Sequence, residues 1–298
     1  DLGLRGQAPF TPAKGRERLL TILFVKGLTV MDFSYLHAER GLLGESWIVD
    51  VTLHGTLDEQ GMVLDFSDVK KQVKRLVDEH FDHKLIIPTK SRCTHIGGTP
   101  GQPAITFACG GHGEHISHIS PPTALCLLDA EAVTTESVSD AIEAALLEQM
   151  PANVRKIEIR LSEEQIDGAS YQYSHGLRQH CGNCQRIAHG HRSRIEICRN
   201  GQRDLLLEEQ WADRWRDIYI GSRSDLVDAS DSHHHYHYKA SQGEYDLVMP
   251  ASRCYLIDTD STVENLASHI AGMIGKENPQ DEISVYAYEG VGKGAVGL

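Results

Sequence analysis

A strand-helix-strand pattern occurs twice in this chain of 298 residues, and that repetition limits the folds open to it. In the first copy, Gly113-Glu114 precedes the apolar run Thr123-Ala-Leu-Cys-Leu-Leu-Asp129. Thr134-Thr-Glu136-Ser-Val-Ser-Asp-Ala-Ile142 and the alternating Val154-Arg-Lys-Ile-Glu-Ile-Arg-Leu161 follow. In the second, Gly243-Glu244 precedes Cys254-Tyr-Leu-Ile-Asp258, Ser261-Thr-Val-Glu264-Asn-Leu-Ala-Ser-His-Ile270 and Glu282-Ile-Ser-Val-Tyr-Ala-Tyr288. Each copy reads as a buried strand, a helix N-capped at Thr134 or Ser261, and another strand. Glu136 and Glu264 take matching early-helix places. The polar, glycine-containing joint from Ser162 to Ala169 predicts two units, 1–165 and 166–298.

The first half opens with two strands, Leu19 to Phe33 and Trp47 to Thr56, closed by a turn at Asp58-Glu-Gln-Gly61. Ser67, or Asp65 ahead of it, caps an amphipathic helix with Val69, Val73, Leu76 and Val77 on one face. Its opposite, basic face reads as solvated surface. The pattern per half is strand, strand, helix, helix, strand, with a hairpin inserted before the second helix. This predicts an α+β fold with antiparallel sheets, and neither standard glycine-rich phosphate loop is present.

Charge and cysteine usage narrow the function classes. A formal charge of -13 disfavours nucleic acid as a partner, because phosphate backbones are bound by clustered Lys and Arg. No run approaches the roughly 18 apolar residues of a membrane span, and Asp1 to Thr11 lacks the order of a signal peptide. Seven scattered cysteines do not resemble a secreted disulfide framework, so a reducing cytoplasm is expected. The 17 histidines are the compositional anomaly.

The second half begins with Tyr171-Gln-Tyr-Ser-His175, Cys181-Gly-Asn-Cys184 and His189-Gly-His191, the last opening an alternating strand. Residues two apart on a strand share a face, so His189 and His191 can converge on one ion. His175, from a neighbouring antiparallel strand, can add a third nitrogen. Three histidines with an open fourth position suit catalytic zinc. Cys181 and Cys184 with His189 and His191 would instead make a closed structural site, and the spacing leaves both readings open. The His233-His-His-Tyr-His-Tyr238 run and the cluster of His112, His115 and His118 fall at the inserted hairpins and read as surface or site-mouth stretches.

His175, the cysteine ahead of His189-Gly-His191, Gly61-Met-Val-Leu-Asp-Phe66, Phe81-Asp82-His83, Ser261-Thr-Val-Glu264-Asn and Glu289 occur in an order that resembles the 6-pyruvoyltetrahydropterin synthase and 6-carboxytetrahydropterin synthase family. The resemblance implies the tunnelling fold: a four-stranded antiparallel sheet with two helices on one face, joined by oligomerisation into a barrel. Here it is similar to two such units in tandem, in a homo-oligomer of dimer size or larger. It also implies Zn2+ on His175, His189 and His191, with Cys184 as general base assisted by Asp82 and His83. Glu289 would bind the pterin.

The departures divide those residues between the halves. Leu43-Gly44-Glu45 stands where the family has His-Gly-His, so the first half is expected to lack zinc even if His37 takes the first ligand's place. Leu161 is expected where the pterin-binding Glu would be. The second half shows no counterpart of Asp82-His83 between Gln210 and Val227. A composite site follows, completed within one chain or by a neighbour. Cys184 lies five residues before His189, a spacing unlike either family subgroup, and Cys181 is the fallback base. The implied substrate is 7,8-dihydroneopterin triphosphate, converted to 6-carboxytetrahydropterin on the deazapurine (queuosine) route. Alternatives are a 6-pyruvoyl-forming lyase and a non-catalytic pterin- or zinc-binding protein. Arg178, Arg186 and Arg192 are the basic residues closest in sequence to the motif.

Overall fold

The computed structural model describes residues 20–109 and 114–298. Asp1 to Thr11, Leu19 and His112, all considered above, lie outside them. The first half contains β1 (Leu20–His37), β2 (Gly41–Thr56), α1 (Phe66–His80), β3 (Leu85–Pro88), β4 (Thr94–Thr99), β5 (Gln102–Cys109), β6 (Glu114–Ile119), β7 (Leu125–Leu128), α2 (Thr135–Leu147) and β8 (Val154–Glu163). The second contains β9 (Ser170–His175), β10 (His189–Arg199), β11 (Gln202–Arg203), α3 (Leu205–Arg214), β12 (Ile218–Ser222), β13 (Leu226–Ala229), β14 (His233–Ala240), β15 (Gly243–Pro250), β16 (Cys254–Ile257), α4 (Val263–Glu277), β17 (Ile283–Tyr288) and β18 (Gly294–Gly297).

The two halves repeat one topology. Strand order β7-β3-β1-β2-β8 in the first sheet matches β16-β12-β9-β10-β17 in the second, which adds β18 at its edge and β11 beside β10. The expected antiparallel four-stranded sheets are therefore mixed and larger: β3 pairs in parallel with β1 and β7, and β12 with β9 and β16. β3, β7 and β16 have only four residues each, too few for alternation to register. Each sheet packs two helices over its own apolar cluster. Phe33, Trp47, Val73 and Ile142 centre the first, and Trp215, Tyr173, Ile197 and Ile270 the second.

Helix starts follow side-chain capping. Asp65 caps α1 by accepting from the Ser67 N–H, and Thr134 caps α2 in a capping box with Ser137. At α4 the cap is Thr262 rather than the expected Ser261, whose side chain is used elsewhere.

The inserted hairpins are not separate decorations. They form a third, six-stranded sheet in the order β13-β14-β15-β6-β5-β4, and β15 of the second half pairs with β6 of the first through Leu247↔His118. Residues of both halves fill its core, including Phe107, Leu125, Tyr236 and Tyr245. His118 is buried in this sheet, while His235 and His237 pair with Asp246 across β14 and β15.

The two repeat sheets also meet back to back, where the glycines of the repeated motif face each other. Gly44 and Gly190 take equivalent places, opposite Ser34 and Ser174, and the Ser34 and Ser174 hydroxyls are hydrogen-bonded at 2.7 Å. A Cβ on Gly190 would lie 2.6 Å from Gly44 Cα, and one on Gly44 would lie 1.8 Å from the Tyr173 carbonyl oxygen. Gly44→Ala should therefore cost about 1–3 kcal/mol or more in denaturant unfolding, since backbone cannot yield as a side chain can. Gly272→Ala, in α4 with open space around it, should instead match or slightly exceed the wild type. Equal effects of the two substitutions would refute a rigid contact between the halves.

Candidate metal centre and active site

The strand register builds the centre. His175 ends β9 directly opposite His189, which opens β10, and His191 follows two residues on, beside Tyr173. All three rings are buried, and one nitrogen from each lies within 4.8 Å of the others. Burial, reinforced by the neighbouring imidazoles, holds His175 and His189 well below the ordinary histidine range. They are neutral, the form that donates a lone pair to a metal.

The hydrogen bonds leave those lone pairs facing inward. His175 Nδ1 is 3.0 Å from the Ser261 carbonyl and 2.9 Å from its hydroxyl, which explains why Ser261 does not cap α4. His189 Nδ1 is 2.9 Å from the Arg186 carbonyl. The Nε2 atoms of His175, His189 and His191, and the Nδ1 of His191, are buried without a hydrogen-bond partner. The three orphaned Nε2 atoms fit a zinc ion, which takes imidazole nitrogen.

The first half completes the surroundings. His83 stacks on His189 with ring centroids 5.1 Å apart, and His83, Cys184 and His189 place ligand atoms within 4.8 Å of one another. Asp82 Oδ2 is 2.5 Å from His83 Nδ1. Burial opposes the imidazolium, but Asp82 and the Cys184 thiol outweigh it, and His83 is pushed up to about 10. The positive φ of His83, 52°, turns the ring into the site. Cys184 sits in a short turn of 3-10 helix, Asn183–Gln185, which the Gln185 side chain fastens to the β14–β15 turn at Ser241 and Gln242. Cys181 is exposed and lies in neither group of possible ligands, so the closed Cys/His arrangement does not form among the described residues. Glu289, after β17, places Oε1 3.8 Å from His191 Nε2. Asp82, His83, Cys184, Glu289 and the three histidines thus come together from both halves of one chain.

The repeat places a second, altered cleft in the first half, and here the register corrects three expectations. Ser34 matches Ser174, so the residue at the place of His175 is Tyr35, not His37. His37 lies at the β1–β2 turn, where its ring accepts from the Glu39 and Arg40 N–H groups. Leu161 matches Ala287, so Glu163 and not Leu161 stands at the place of Glu289. His83 also has a positional counterpart: Leu85 matches Tyr219, which puts Asp217 in its place with a φ of 55°.

Ion pairs and amide contacts occupy this altered cleft. Arg40 donates to both carboxylate oxygens of Asp217 at 2.8 and 2.5 Å and to Gln172 Oε1 at 2.5 Å. Gln172 Nε2 donates to Glu45 Oε2 at 2.9 Å. Glu45, in the place of His191, is 3% exposed. Burial, with a contribution from Glu163, pushes its carboxyl up to about 8.

The buried histidines form a group that could hold a metal ion, in a chain whose halves repeat one strand order. Residues 30–173, just under half of the chain, match the family model of 6-pyruvoyl tetrahydropterin synthase, and in that domain the chain is similar to the lyases of tetrahydropterin biosynthesis. Two proteins carrying the name 6-carboxy-5,6,7,8-tetrahydropterin synthase, from Pyrococcus abyssi and Pyrococcus horikoshii, are 26% and 24% identical to it over 134 residues, 45% of this chain and 76% of each relative. The crystal structure of 6-pyruvoyl tetrahydropterin synthase from Plasmodium vivax aligns with a TM-score of 0.41 and 22% identity, covering 50% of this chain and 94% of that one. Among the described residues no helix is long and apolar enough to cross a membrane.

Sequence reading missed Asp32, Ser46 and Lys293, which lie near the three histidines without belonging to a motif, and gave Ser261 a capping role instead of its contact with His175. Glu45 has a consequence for stability. Its folded pKa, about 8, exceeds the usual 4.5, so the folded state holds a proton that the unfolded chain releases. Stability should fall as pH rises from about 4.5 to about 8 and level off above. Glu45→Gln should flatten that segment of the unfolding free energy against pH. A slope unchanged by the substitution would assign the dependence to other groups.

Proposed function

We propose that the chain is a zinc-dependent pterin lyase that acts on 7,8-dihydroneopterin triphosphate and forms 6-carboxytetrahydropterin. The observation that carries this reading is the meeting of His175, His189 and His191 from the second half with Asp82-His83 of the first around Cys184. The relatives named 6-carboxy-5,6,7,8-tetrahydropterin synthase support the choice of product.

Zn2+, when bound by the three histidines, would polarise oxygens of the substrate side chain. Cys184 serves as the base that takes a proton from the adjacent carbon, and His83 stands beside it, their ligand atoms within 4.8 Å. Asp82 holds the His83 ring by its Nδ1 and keeps the other nitrogen toward the thiol. Glu289 accepts hydrogen bonds from the pterin amino and ring N–H groups, a pairing suited to the two oxygens of a carboxylate. Of the arginines near the motif, Arg186 donates to the His83 carbonyl at 3.2 Å and Arg178 pairs with Asp225. Two units per chain with one three-histidine centre give one working site per polypeptide, in a cytoplasmic homo-oligomer whose sheets close into a barrel. The partner is the small pterin substrate, with no nucleic acid or membrane involved.

Elemental analysis combined with turnover tests this. Wild type should hold about one zinc per chain and consume 7,8-dihydroneopterin triphosphate. Cys184→Ala and His83→Ala should keep the zinc but lose about 10²-fold or more in rate, the usual contribution of a positioned base. Cys181→Ala should remain active. Turnover undiminished in Cys184→Ala would reject the assigned base. Mass analysis separates 6-carboxy from 6-pyruvoyl product, and zinc without turnover would favour a binding role.

A further inference from the structure

Asp32 is a buried carboxylate on β1 of the first half, outside every motif, yet it reaches His191 and Lys293 of the other half as well as Asp82 and His83 of its own. Its Oδ1 lies 3.3 Å from His191 Nδ1 and accepts from the Ser46 hydroxyl at 2.5 Å, and its Oδ2 accepts from Lys293 Nζ at 3.1 Å. Its own N–H donates to Asp82 Oδ1 at 2.9 Å, and its carbonyl accepts from the His83 N–H at 2.7 Å. Gly290 is needed for the approach: a Cβ there would sit 2.4 Å from Asp32 Oδ1.

The repeat supplies an internal comparison. The residue in the place of Asp32 is Gln172, which reaches across the same contact between halves to Glu45, the residue in the place of His191. Where the facing side chain is His191, whose buried Nδ1 lies 3.3 Å away and has no hydrogen-bond partner, the residue behind it is an acceptor. Where it is Glu45, the residue behind it is an amide donor. The chemistry has changed on both sides of the contact while the geometry has been kept.

We propose that Asp32 is a positioning residue for the metal centre: it takes the Nδ1–H of His191, and so fixes the ring tautomer that turns Nε2 toward the ion. This rests on the reading of His175, His189 and His191 as zinc ligands. His175 and His189 have their Nδ1 atoms on carbonyls of their own half, whereas the ion-pair partner beside His191 Nδ1 is Asp32 of the other half. A carboxylate behind an imidazole also raises its basicity, and loss of such a partner commonly weakens metal binding 10- to 100-fold. The arrangement makes metal affinity depend on correct docking of the two halves.

The test is Zn2+ affinity, measured by competition with a chromogenic chelator on the full chain without substrate. Asp32→Ala should weaken binding about 10- to 100-fold, and Asp32→Asn, which keeps an acceptor of the same shape, should recover part of that loss. In a His191→Ala background, Asp32→Asn should have no further effect on the remaining affinity. Where Asp32→Ala does not fold, the isosteric Asn variant and the double-substitution comparison carry the test. Wild-type affinity in both single variants, or an Asn effect that persists without His191, would overturn the proposal. Failure of wild type itself to bind zinc is a different result, which removes the ligand assignment and this inference with it.

Discussion

Everything at this site depends on how closely two glycine-centred strand pairs can pack. Gly44 and Gly190 lie so near each other that neither could carry a side chain without displacing backbone. Their approach lets β1 of one half deliver Asp32 behind a histidine of the other. It also brings the loop after α1, with Asp82 and His83, against Cys184. A side chain at either glycine would push the halves apart and separate the base dyad from the three-histidine cluster, although each half could still bury its own core. The third sheet reinforces the same docking from a distance, since the β14–β15 turn holds Gln185 next to the reactive cysteine.

The same strand order frames two chemically different clefts. One cleft retains three buried imidazoles whose lone pairs face one another, an arrangement that is costly unless an ion or other partner satisfies them. The other differs at each of those positions: Tyr35 for His175, Leu43 for His189 and Glu45 for His191. Arg40 and Asp217 now form a bidentate pair there, and Gln172 satisfies Glu45. Such a polar network, fully partnered, can stand in the low-dielectric interior without a ligand. One half has become the support of the other, and the altered cleft works as part of the joint between them.

Much of this was legible in the order of residues. The repeat, the His-Gly-His strand with His175 beside it, Cys184, Asp82-His83 and Glu289 all stand out, because period-two spacing and motif order survive as text. The capping roles of Asp65 and Thr134 were legible for the same reason: a cap is decided by residues within three positions of one another. The short parallel strands were not, since four apolar residues look alike in a strand and a loop. Ser261 looked like a cap only because nothing in the sequence shows that His175, 86 residues earlier, competes for it.

The sequence by itself determined the repeated unit, the three histidines and the uneven division of the motif residues between the halves, because these are matters of residue type and local spacing. Only the tertiary structure decided that both contributions meet within one chain, that Tyr35, Glu163 and Asp217 are the true counterparts of His175, Glu289 and His83, and that Asp32 stands behind His191. Register across a sheet shifts by whole residues when a turn changes length, so equivalence between repeats is set by hydrogen-bonded pairing rather than by counting. A contact between residues separated by more than a hundred positions leaves no trace in the local pattern of either one.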